Sequence, residues 1–172
     1  MVGTTLAVSK GVRVLVAMAL LLSAGPVFAQ GPVMALQASD GRGHSFDISS
    51  LRGNVVAVTF VSRYTQDEAE RVNRALGTRG DVKVVSVVDF VGIPGFVHGY
   101  ARRKMAEADG RVQHLCDERS ALRRQFGAHT DKHVDIFIID RDGGMRGRFE
   151  GQQQLGAALR LLDEVRAAQA SR

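Results

Sequence analysis

The run VVAVTFV (Val55–Val61) constrains the fold more than any other stretch of this chain. Seven successive uncharged residues, most of them β-branched, describe a strand that sheds water from both faces, and such a strand belongs at the centre of a helix-covered sheet. After five further residues the pattern changes period. In DEAERVNRAL, Ala69, Val72 and Leu76 recur at helical spacing, and Asp67 and Glu68 occupy the first turn, where the helix dipole favours negative charge. Gly77 and Gly80 end that helix.

The same alternation continues along the chain. VKVVSVVDF reads as a second buried strand, VGIPG as a turn, and FVHGYARRKMAEA as a helix from about Phe96. RVQHLCD supplies a short strand, and ERSALRRQFG a helix from about Glu118 with Leu122 and Phe126 inward and Gly127 at its end. VDIFIID, RDGG and MRGRFEG form strand, turn and antiparallel return. LGAALRLLDEVRAA places Leu155, Leu159, Leu162 and Val165 on one stripe of a closing helix. Ahead of all this, Asp40-Gly41 and Gly43 break VMALQASDGRGHSFDISSLRG into a hairpin of two short strands. The expected class is α/β: a three-layer domain whose mixed central sheet is flanked by helices.

Residues 1–29 have the form of an export signal: Lys10 and Arg13, then VLVAMALLLSAGPVFA, with Val27 and Ala29 as small residues ahead of a cut at Ala29-Gln30. The apolar run is shorter than the roughly 20 residues of a spanning helix, so membrane attachment is expected only through an uncleaved signal. Residues 30–172 then form one domain, located in the periplasm or secreted. Losing Lys10 and Arg13 lowers the formal charge from +5 to +3. Apart from ARRKM and ALRRQF, which read as the wet faces of helices, the basic residues are scattered, and no run interleaves them with aromatics, which gives no footprint for nucleic acid. Cys116 is the single cysteine, so no internal disulfide can brace the domain.

DGRGHSFDISSLRGNVVAVTF, VKVVSVVDF, HLCDERSALRRQFGA and DIFIIDRDGGMRGRFEG, in that order, resemble the redoxin branch (alkyl hydroperoxide reductase and thiol-specific antioxidant proteins) of the thioredoxin-like superfamily. SRYTQDEAERVN and GIPGF are also similar to exported YtfJ-type proteins. The resemblance implies a thioredoxin-like fold and a thiol oxidoreductase or peroxidase. It also implies a redox cysteine pair, which would fall close to Thr65 and Glu68; neither residue can act as a thiolate. The position of the family's groove-shaping cis proline aligns with Val134, where a cis bond would cost about 2.5–4 kcal/mol, so a trans peptide is expected. No cofactor is expected.

Three candidate sites follow. Arg63, Tyr64, Thr65, Glu68 and Val134 lie where strand ends and a helix amino terminus gather, a place suited to an anion or a peptide carbonyl. The competing reading makes Thr65 a helix cap, with Glu68 reaching back to complete a capping box. Cys116, near His114 and ahead of the helix from Glu118, is either a reactive thiol disfavoured by Asp117 and Glu118 or a buried structural residue. AHTDKHVD offers His129, Asp131, His133 and Asp135, and His133 is expected near Thr65. The resemblance there is to Sco-type copper-delivery proteins, which need two cysteines that are missing here. A weak zinc or copper site and a solvated loop are the two readings. The functional expectation is a periplasmic binding or accessory module for a peptide or protein. The alternatives are a redoxin acting through Cys116 alone and metal delivery through His133.

Overall fold

The computed structural model describes residues 37–108, 110–129 and 132–170; the expected signal at residues 1–29 and Asp131 lie outside these. Strands β1 (Gln37–Asp40) and β2 (Ser45–Asp47) form the expected hairpin, and a 3-10 turn at Ile48–Leu51 leads to β3 (Val55–Val61). Then follow α1 (Gln66–Gly77), β4 (Val82–Asp89), α2 (Gly95–Glu107), β5 (Val112–Asp117), α3 (Ala121–Phe126), β6 (Asp135–Ile139), β7 (Met145–Glu150) and α4 (Leu155–Ala170).

These strands make one mixed sheet in the order β2-β1-β5-β4-β3-β6-β7. β3, β4 and β5 are parallel, with Val55 opposite Val82 and Val84 opposite Val112. β6 returns antiparallel to β3, pairing Phe60 with Asp135, and β1 runs antiparallel to β5, pairing Ser39 with Cys116. Alternation along β3 divides the core. Val55, Ala57 and Val61 pack with Val72 and Leu76 of α1 and Ala158 and Leu162 of α4. Val56, Val58 and Phe60 pack on the other face with Leu122 and Phe126 of α3 and with Phe137.

Two polar features sit inside this core. Thr59 donates to Asn73 Oδ1 at 2.8 Å, and Asn73 Nδ2 donates to Ser86 Oγ at 3.1 Å, so β3, α1 and β4 are joined where dispersion alone would leave them free to slide. Asp89 accepts from Arg123 at 2.7 Å, tying the end of β4 to α3.

α3 differs from its expected span. Ser120 adopts a left-handed conformation (φ 50°), and the Asp117 carboxylate accepts from the N–H groups of Ala121 at 2.7 Å and Arg123 at 2.8 Å. Residues 118–120 are therefore a turn, and the helix starts at Ala121.

Candidate functional site at the carboxyl edge of the sheet

β3, β4 and β5 all end at one edge, and the chain turns there from β3 into α1. Ser62 and Thr65 close that turn on themselves. The Ser62 N–H donates to Thr65 Oγ1 at 3.0 Å, and the Thr65 N–H donates to the Ser62 carbonyl at 3.2 Å. Thr65 is only 3% exposed, and its hydroxyl makes no bond to the helix it precedes. The Thr65 hydroxyl, expected to face a ligand, is engaged in this local turn.

Glu68 corrects the capping-box expectation. Its carboxylate reaches away from Thr65 and across the sheet edge, accepting the Val134 N–H at 2.9 Å on one oxygen and the Gln152 N–H at 2.8 Å on the other. His133 Nδ1 lies 3.8 Å from the same carboxylate, which places His133 beside Glu68. Gly151 makes this convergence feasible. It has φ 65°, donates to the Val134 carbonyl at 2.8 Å, and a Cβ there would stand 3.0 Å from Glu68 Oε1 and 3.2 Å from His133 Nδ1. The described residues contain no cis peptide, in keeping with the expectation at Val134.

Arg63 and Tyr64 face solvent. The guanidinium lies 4.5 Å from the Tyr64 ring centroid and also meets its hydroxyl, while Arg63 Nη1 donates to the Gly92 carbonyl at 3.4 Å. Tyr64 remains 69% exposed. The β4–α2 loop and α2 add Val91, Phe96 and Tyr100, all exposed, a cluster that the periodicity of the sequence did not single out.

Cys116 belongs to a different environment. It is 3% exposed, donates weakly to the Asp40 carbonyl at 3.8 Å and lies 3.9 Å from Met105 Sδ. Burial pushes its thiol pKa up, and the pull of Arg102 in the opposite direction is smaller. Asp40 is the carboxylate that adds to the rise, in place of the expected Asp117 and Glu118. Burial lowers the pKa of His114, which disfavours a cation beside the thiol.

The described residues of the His loop are spread over different neighbours. His129 is exposed, with its backbone N–H donating to Asp135, and Asp135 is buried and held by Arg148 at 3.0 Å. Among the described residues no group of three or more His, Cys, Asp or Glu side chains could hold a metal ion.

No family model matches the chain, and no curated protein matches it in sequence. Solved structures do match. A pneumococcal exposed lipoprotein thioredoxin from Streptococcus pneumoniae superposes with a TM-score of 0.60 at 17% identity, over 76% of this chain and 99% of that one. The fold is thioredoxin-like. A thiol-disulfide oxidoreductase from Bacteroides fragilis gives a TM-score of 0.55 at 14% identity, over 76% and 99% of the two chains. BsSco, of the Sco family of cytochrome c oxidase assembly proteins, gives 0.58 at 11%, over 80% and 94%. At these identities the likeness is one of architecture. On that thioredoxin-like architecture, Thr65 and Glu68 sit at the β3–α1 crossing with side chains already bonded within the chain.

Proposed function

We propose that this chain is an exported binding or accessory module of redoxin type that works on the thioredoxin-like fold without a dithiol, gripping a peptide or protein partner in the periplasm. One observation carries the reading. Arg63 and Tyr64 stand in solvent at the carboxyl edge, whereas Thr65 and Glu68 are locked into bonds with their own chain. A rigid edge with an exposed, cation-stacked tyrosine suits recognition, since Tyr and Arg are the side chains that most often anchor interfaces. His133 extends the same edge, with its ring half-exposed beside Glu68. Export is supported by the leader pattern of residues 1–29 and by the likeness to an exposed lipoprotein. The one-cysteine redox alternative gains no support from a buried thiol whose pKa is raised, and for the metal alternative the described residues bring to the His133 ring only the Glu68 carboxylate at 3.8 Å.

The test is a photo-crosslinking phenylalanine analogue at Tyr64 in cells exporting the protein. A discrete adduct is expected, reduced severalfold by Arg63→Ala or His133→Ala. Tyr64→Ala should weaken capture at least tenfold while shifting stability by less than about 0.5 kcal/mol, because the ring is largely exposed. Adducts no different from those obtained at Arg124, exposed on α3, would remove this reading.

A further inference from the structure

We propose that the β4–α2 tip is a lipid-contacting element, which sets the domain against an anionic membrane surface independently of any uncleaved signal. Phe96 is 90% exposed and Val91 57%, and Pro94 and Tyr100 are also exposed. Neither the cleft beside Cys116 nor the crevice under Ile48 is lined by any of them. α2 buries none of its residues; its exposed stripe is Phe96, Gly99, Tyr100, Arg103, Lys104 and Glu107. Composition along this stripe is graded. Aromatic side chains lie at the end next to the sheet edge, and the cations follow about two turns behind, with Arg103 and Lys104 5.8 and 6.0 Å from the Tyr100 ring centroid.

That grading matches the depth profile of a bilayer interface. At 1.5 Å per residue, Tyr100 lies about 6 Å and Arg103 and Lys104 about 10–12 Å behind Phe96 along the helix. Apolar faces of interfacial elements sink about 5–10 Å, Tyr favours the headgroup level, and Lys and Arg meet anionic lipid phosphates. Arg63, bonded to the Gly92 carbonyl, adds a cation at the base of the tip. Of the nearby carboxylates, Asp89 is buried against Arg123, Glu107 pairs with Lys104 at 3.6 Å and Glu118 pairs with Arg102 of α2, while Asp67 is exposed in α1.

A protein partner would require no such grading from aromatic to cationic side chains along one helix face.

The experiment uses residues 30–172, which contain the seven strands, four α-helices and two core clusters of the described residues. The chain has no Trp, so Phe96→Trp is a single reporter. Vesicles of phosphatidylglycerol mixed with phosphatidylcholine should shift its emission to the blue and carry the unsubstituted domain upward in flotation. The affinity expected is no tighter than the ~10⁴ M⁻¹ of a single myristoyl chain, and pure phosphatidylcholine should bind at least tenfold more weakly. Tyr100→Ser with Arg103→Gln and Lys104→Gln should raise the half-saturating lipid at least tenfold with an unchanged melt. Absence of an emission shift and of flotation, or binding that survives the triple substitution, overturns the proposal. A crosslinker at Phe96 that captures a protein while vesicles are ignored overturns it in favour of a protein docking face. The adduct at Tyr64 reads partner capture separately, so either idea can fail alone.

Discussion

Replacing Glu68 with Ala is expected to lower stability by about 2–4 kcal/mol, because one deletion strips the acceptor from two backbone N–H groups at once. The bonds to Val134 and Gln152 close sequence separations of 66 and 84 residues, so the carboxylate joins α1 to the start of β6 and to the β7–α4 connection. Val134 is fully buried, so its N–H depends on the carboxylate for a partner in the folded protein. Glu68→Gln separates the hydrogen-bonding account from one of packing. The amide keeps the volume but has one acceptor oxygen, so it satisfies one N–H and turns an NH₂ donor toward the other. Its melting temperature should fall between those of the parent and the alanine variant. A glutamine variant as stable as the parent would show that only the side chain's bulk matters. Gly151→Ala should destabilise as well, since its Cβ would approach both Glu68 and His133 and its φ is 65°.

That staple also shows where sequence reading stopped. The sheet, its parallel centre and the helix faces were legible because burial writes its period directly into the chain: Val55 to Val61 for a doubly covered strand, Ala69, Val72 and Leu76 for one face of α1. Glu68 was misread because T-Q-D-E satisfies the local spacing of a capping box, and nothing within four residues reveals that Val134 and Gln152 will arrive with free N–H groups. The start of α3 failed for a related reason. Asp117 caps it from four residues ahead across a left-handed Ser120, a conformation that a serine does not advertise. The aromatic tip escaped notice because Phe96 and Tyr100 fit a helical period equally well inside or outside, and only the fold shows that α2 buries neither.

Cys116 should be nearly inert in the native protein, reacting with a small thiol reagent at least about 100-fold more slowly than in denaturant at neutral pH, because a buried thiol is attacked only through opening of the structure. The β1 hairpin and α2 cover it, with the Asp40 carbonyl and Met105 in contact with the sulfur. Burial raises its pKa in the folded state, so the pH midpoint of whatever native labelling occurs should lie above the free-thiol value of about 8.5. The sign for stability follows by linkage. Because the folded protein holds the thiol proton more tightly than the unfolded chain, this contribution is intact below about pH 8.5 and is lost as the pH rises toward the folded value. Arg102 pulls the other way, so Arg102→Gln should move the labelling midpoint still higher. Hydrogen peroxide should leave the folded thiol unoxidised over times that convert the unfolded chain to sulfenic acid. Labelling at the unfolded rate with a midpoint below about 8.5 would restore a one-cysteine redox enzyme. Protection instead would remove the one-cysteine enzyme.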